Sequence, residues 1–344
     1  MTPERQAHQT ALDRIAAAKA AGATRLELFV PQPLTAIPAE VADLPLREVW
    51  TGSTAETFDI SALENLPNLE VLRVSHRAPI DLAQLGAAPN LRRLEVRDVP
   101  VLNVGHLNHC PAFDTFETRD QSFYKGGPMM DLLGALRSVT GLRSLRLRDC
   151  DFDSLDTASI LGDFIQLHEL DLSHLGVYEQ HPPEATWFTE LDLEIFSPLK
   201  NLRRLGLYDA NLDVMSPLRN HLALQSLDIG KSWIKDPSFL EDLGELEELF
   251  LADCHFPELA AVSSMPGLRT LWAACTPAQT NITWVAKLPK LETLSLRLET
   301  ADLAPLQELP NLKELWLVAE APQDLDVLGK LATERQGFEL GKLA

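Results

Sequence analysis

The chain has 344 residues and little cysteine: Cys110, Cys150, Cys254 and Cys275 stand far apart and form no C-x-x-C pair. That spacing argues against a thiolate zinc site or a disulfide framework, and free thiols in a reducing cytoplasm are expected. Basic residues are also short, 30 lysines and arginines against 50 acidic residues, for a formal charge of −20. So acidic a chain repels a phosphate backbone unless a basic patch is segregated on one face. No apolar run is long enough to span a membrane, and MTPERQAHQTALDR lacks the charged-then-apolar plan of a secretory signal. A cytoplasmic location is expected, with export by a route that needs no cleavable signal left open. A phosphate-cradling glycine loop, a G-x-S-x-G elbow and an H-E-x-x-H helix are all missing.

Leucine is what the chain has in plenty, and it recurs in a fixed frame. The pattern L-x-x-L-x-L appears at Leu69, Leu91, Leu142, Leu167, Leu202, Leu224 and Leu246, with weaker or later copies at Ala23, Leu46, Phe113, Leu268, Leu291 and Leu312. Successive starts lie 23, 23, 22, 22, 29, 25, 35, 22, 22, 22, 23 and 21 residues apart, which defines about thirteen units. Within a unit the period is two. Positions 4 and 6 therefore face one way and are buried, while positions 3, 5 and 7 face the other. Leucines three apart precede the strands, as in Leu63, Leu66 and Leu69 or Leu306, Leu309 and Leu312, and suit short helical or 3₁₀ turns. Turns wider than strands curve the stack, with the sheet on the inside.

These motifs resemble the leucine-rich-repeat family over nearly the whole chain, and the unit of about 22 residues resembles the subclass of a phosphatase-regulatory subunit. The resemblance implies an α/β solenoid, a horseshoe with a concave parallel sheet, convex 3₁₀ turns and a helical N-terminal cap. Ala- and Leu-rich usage suggests a bacterial source. The family pattern places Asn or Cys at position 9, bonded to neighbouring backbone. Here Cys150 and Cys254 stand there, then Ser232 and Thr276, with Arg77, Val99, Gln121, Ala210 or Glu299 elsewhere, so no asparagine ladder exists. Residues 1–22 read as a capping helix, 23–320 as the repeats and 321–344 as a second cap, in which Phe338-x-Leu340 adds an edge strand.

Two intervals are long because of DQSFYKGGPMM (120–130) and HLGVYEQHPPEATWFTE (174–190). They carry Tyr124, Tyr178 and Trp187, which either anchor a partner or fold back over the core. On the concave face, Arg97, Arg119 and Arg148 fill position 7 of three units. Arg73 and Arg146 fill position 5, and Arg93 position 3. Glu95, Glu117 and Asp171 at position 5 and Asp98, Asp120 and Asp149 at position 8 interleave with them. The arginines either pair laterally with these carboxylates or form a partner-facing patch. Further along, Tyr208, Phe250, Trp272 and Trp316 occupy outward positions, as Phe29 and Trp50 do near the start. Such rings standing in solvent point to an interaction surface.

His106 and His109, and His168, His174 and His181, lack the carboxylates or thiols that a metal site requires. Cys254 and His255 alternate in direction and make no thiol–base pair. The acidic run EDLGELEEL (241–249) reads as a solvated outer turn able to receive a basic partner. The expectation is a non-catalytic module, monomeric alone and without cofactor, that binds another protein and neither nucleic acid nor membrane. Adaptor, inhibitor, immunity and effector roles all fit. The alternative is the recognition part of a host-directed enzyme such as a ubiquitin-ligase-like effector.

Overall fold

The structure is a computed structural model that describes residues 2–76, 78–97, 99–119, 129–152, 154–180, 186–188, 191–210, 212, 214–256, 259–274, 278–299, 302–319, 325–334 and 338–342. It divides into two compact units, Met1–Leu167 with Gly176–Trp187, and His168–Leu175 with Phe188–Ala344.

The first unit opens with helix α1 (Pro3–Ala20). Proline at its first position needs no N–H bond there, and the Thr2 hydroxyl accepts from the Arg5 amide at 3.4 Å. Ala7, Ala11 and Ile15, spaced by four, are its buried stripe. Six strands follow: β1 (Arg25–Phe29), β2 (Glu48–Ser53), β3 (Val71–His76), β4 (Arg93–Arg97), β5 (Thr115–Arg119) and β6 (Ser144–Arg148). Each pairs in parallel with the next, in chain order. Position 4 of one repeat lies beside position 4 of the next, as Leu72 beside Leu94 and Leu94 beside Phe116. The second unit repeats the plan with β7 (Glu169–Asp171), β8 (Arg204–Gly206), β9 (Ser226–Asp228), β10 (Glu248–Phe250), β11 (Thr270–Ala273), β12 (Thr293–Leu298), β13 (Glu314–Ala319) and β14 (Glu339–Lys342). These also pair in parallel in chain order. β14 is the edge strand that Phe338-x-Leu340 suggested.

Burial alternates as the register requires: in β4, Leu94 and Val96 are buried while Arg93 and Glu95 are half-buried and Arg97 is exposed. Leu63, Leu66 and Leu69 are all buried, and the turn closes through Leu66 N–H to Leu63 O at 3.0 Å and Leu69 N–H to Leu66 O at 3.2 Å. Most outer turns are such 3₁₀ segments, for example Ser61–Asn65 and Thr283–Lys287. Two repeats hold true helices instead, α2 (Met129–Leu136) and α3 (Leu155–Ser159), in the intervals of 29 and 25 residues. The extra length of these repeats is thus partly spent on the outer turns, where α2 buries Met129, Leu133 and Leu136. A fourth helix, α4 (Leu325–Glu334), precedes β14.

From β6 to β10 the repeats share a feature that the leucine frame does not announce. Position 8 is left-handed in five successive repeats, at Asp149, His174, Asp209, Lys231 and Asp253, with φ between 50 and 59°. Without glycine this conformation is strained, and the parallel ladder offsets the cost. Asp209 N–H bonds to Gly230 O at 2.9 Å and Lys231 N–H to Ala252 O at 2.8 Å, beyond the short strands themselves. The position-9 thiols complete the turn: Cys254 donates to Ile229 O at 3.0 Å, and Cys150 to Arg148 O at 3.3 Å. Cysteine here does part of what asparagine does in the family pattern.

Candidate functional site: the open face of the sheet

In the first unit the open face is a network of ion pairs. The register places Arg73 beside Glu95, and Glu95 beside Glu117, with Arg146 next in the row. Arg73 donates to Glu95 at 2.8 Å and to Glu48, and Arg93 reaches Glu95 at 2.7 Å and Glu117 at 2.6 Å. Glu117, whose side chain is only 4% exposed, also meets Arg119 at 3.0 Å, Arg146 at 3.4 Å and Arg148 at 4.0 Å. Burial alone pushes the Glu117 carboxyl upward, but the Arg119 hydrogen bond and the charges of Arg93, Arg119 and Arg148 outweigh it and hold it below its ordinary range. Arg73, Arg93, Arg119, Arg146 and Arg148 are seen to pair with neighbouring carboxylates. Their partners are Glu95 and Glu117 at position 5 and Glu48 at position 3. Asp98 and Asp120 lie outside the described residues. Arg97 is exposed and stands in register with Arg119, which stands beside Arg148.

The rings of the open face are half-buried, not standing in solvent as their outward positions suggested. For three of them the reason is a glycine in the following repeat. Phe29 lies over Gly52, Tyr208 over Gly230 and Trp316 over Gly341, in each case so closely that a Cβ on the glycine would overlap the ring. Trp50 packs edge-on to Phe29 at 4.8 Å, and Arg73 sits 5.8 Å from its centroid. Phe29, Trp50, Arg73, Arg93, Arg97 and Arg119 help to line a cavity of about 380 Å³.

In the second unit the row Asp228, Phe250, Trp272, Ser295, Trp316, Gly341 crosses β9 to β14. Trp272 and Trp316 lean across β12, ring centroids 5.8 Å apart, and Ser295 between them is fully buried. Tyr208 belongs to a different cluster at the left-handed turns. Asp209 accepts from His174 Nδ1 at 3.1 Å and from Lys231 Nζ at 3.0 Å, and Lys231 lies 5.4 Å from the Tyr208 ring.

Of the insertion residues, Tyr124 lies outside the described ones. Tyr178 and Trp187 sit on strands Gly176–Gln180 and Thr186–Phe188, the first of which pairs in parallel with Asp151–Phe152. Sequence reasoning missed Trp233, which is 63% exposed and stacks on His255 at 4.0 Å beside a cavity of about 250 Å³ lined by Val214, Met215 and Phe239. The available signal was positional, since Trp233 and His255 both fill position 10 of adjacent repeats. Among the described residues no three His, Cys, Asp or Glu side chains gather as metal ligands, and no helix is long and apolar enough to cross a membrane.

The parallel strands, the 3₁₀ turns and the repeating leucine register define a leucine-rich-repeat fold. Solved structures share this fold. An internalin of Listeria monocytogenes matches with TM-score 0.59 at 20% identity, over 93% of this chain and 87% of that one. A leucine-rich-repeat protein of Leptospira interrogans matches with TM-score 0.59 at 15% identity, over 90% of this chain and 81% of that one. The Drosophila Toll–Spätzle complex matches with TM-score 0.54 at 15% identity, over 93% of this chain and 47% of that one. No protein-family model matches the chain, and none of the curated proteins is similar to it in sequence.

Proposed function

We propose that this protein is a non-catalytic module that binds another protein through the open face of its repeats, with Trp233 and the edge insertions as flanking contacts. The observation that carries this reading is the row Phe250, Trp272 and Trp316, three large rings on the outward side of strands whose core is already filled by leucine. Rings held flat on a sheet lose little conformational freedom on binding, which suits them as anchors. One structural neighbour is itself a complex of two proteins. Adaptor, inhibitor, immunity and effector roles all use such a module, and a cytoplasmic, bacterial setting agrees with the composition.

The test is capture of partners by the tagged full-length chain, compared with a Trp272→Ala/Trp316→Ala variant whose circular dichroism and melting are checked first. A specific partner held by the native protein and lost by the folded variant supports the reading. Equal capture by both proteins counts against the open face. Turnover of any substrate by the pure protein would overturn the non-catalytic assignment.

A further inference from the structure

The open faces of the two units treat charge in opposite ways. In the first, Glu48, Glu95 and Glu117 are each bonded to arginine. In the second, the position-3 row runs Glu248, Thr270, Thr293, Glu314, Glu339 alongside the aromatic row. Glu248, Glu314 and Glu339 have no ion pair among the described residues, and Glu314 accepts only the Thr293 hydroxyl at 3.5 Å. Glu248 precedes Phe250 by two residues and Glu314 precedes Trp316 by two, so the backbone positions of each pair stand about 7 Å apart on the same face.

We infer that this face, with Trp272 and Trp316 at its centre and Glu248 and Glu314 at its border, binds a basic segment of the partner and receives an arginine or lysine side chain on the tryptophan rings. The inference rests on the protein-binding reading above and names the chemistry of the partner. Two independent features point to a cation, and a third accommodates its N–H groups. The ring faces carry the negative side of the quadrupole, and tryptophan is the best aromatic acceptor for a guanidinium or ammonium. The bordering carboxylates lack the arginines that neutralise their counterparts in the first unit. Between the rings, Ser295 is fully buried and its hydroxyl makes no hydrogen bond among the described residues, so a donor that parts the rings gains an acceptor there.

Arg297, exposed in the position-7 row of β12, marks the limit of the site. It repels a cation on that side and favours one beside the position-3 glutamates. The formal charge of −20 adds attraction at long range, which speeds encounter with a basic segment and repels an acidic one.

The experiment titrates the full-length protein with three capped hexapeptides, alternating arginine–glycine, glutamate–glycine and serine–glycine, by calorimetry at low and at physiological salt. The arginine peptide is expected to bind, more weakly as salt rises, and the other two are not. Trp272→Ala/Trp316→Ala and Glu248→Gln/Glu314→Gln should each weaken binding at least tenfold while their melting curves stay cooperative. Glu40→Gln/Glu308→Gln, on exposed outer turns, should leave it unchanged. Should the aromatic variant melt poorly, the glutamine pair and the outer-turn pair decide the matter, because neither alters packing. Equal weakening by the outer-turn pair would reduce the effect to general charge attraction and overturn the inference. So would binding of the acidic peptide, or no binding of the arginine peptide. Should a captured partner then still depend on Trp272 and Trp316, the protein-binding reading would stand and the basic chemistry alone would fall.

Discussion

At position 117 one nearly buried carboxylate meets four guanidinium groups, and neither charge is comfortable without the other. Position-7 arginines on adjacent strands stand only about 5 Å apart in the hydrogen-bonding direction, and Glu117 offsets their repulsion. Glu117→Gln should therefore destabilise the first unit by about 2 kcal/mol, read from urea denaturation. Its pH dependence has a definite sign. The folded carboxyl lies below its ordinary value of 4.5, so the stabilisation is complete above that value and is lost as pH falls through the folded one. The gap between wild type and Glu117→Gln should stay constant above pH 5 and shrink on acidification; a gap that widened in acid would contradict the assignment. Thiols make a second residue-scale case. Cys110, Cys150 and Cys254 are buried, and burial pushes the Cys110 thiol up to about 11. In a Cys275→Ser background, iodoacetamide at pH 8 should label almost nothing until denaturant is added.

At the scale of the element, glycine decides how the open face is furnished. Gly230, just after β9, lets the Tyr208 ring lie on the next repeat, and a Cβ there would overlap the ring and approach Ala252 O at 3.1 Å. Gly230→Ala should cost about 1–3 kcal/mol and displace the ring from Lys231. Gly134 is the contrast. It sits within α2 with nothing near its absent Cβ, so Gly134→Ala should stabilise by about 0.5–1 kcal/mol. Thermal melts of the two variants, moving in opposite directions, check both statements. The left-handed residues from Asp149 to Asp253 belong to the same scale. Each is an ordinary polar residue at position 8 of its repeat. The leucine frame does not mark it, and at His174, Asp209 and Lys231 the turn is held by an N–H bond to a carbonyl of the next repeat.

At the scale of the molecule, each unit is a stack in which a repeat packs on its neighbours, so a core defect acts locally and on both sides. Leu227 is fully buried and flanked in register by Leu205 and Leu249. Leu227→Ala should cost about 3 kcal/mol. Hydrogen exchange should quicken first in β8, β9 and β10; equal quickening of α1 would show coupling far beyond neighbours.

The period of about 22 residues and the alternation within it were enough to set which residues are core, which strands pair, and which side chains share the open face. Those properties follow from backbone geometry, which turns sequence spacing directly into direction. Even the edge strand at Glu339–Lys342 could be read that way. Which charges on that face are neutralised and which rings lie flat was decided only by the fold. Arg73 meets Glu95, and Arg93 meets Glu117, because their strands are neighbours and their side chains reach sideways about 5 Å. Trp316 folds down because the residue opposite it, 25 positions later, is glycine. A pairing between repeats depends on two residues and their rotamers at once, whereas the frame depends on one residue at a time.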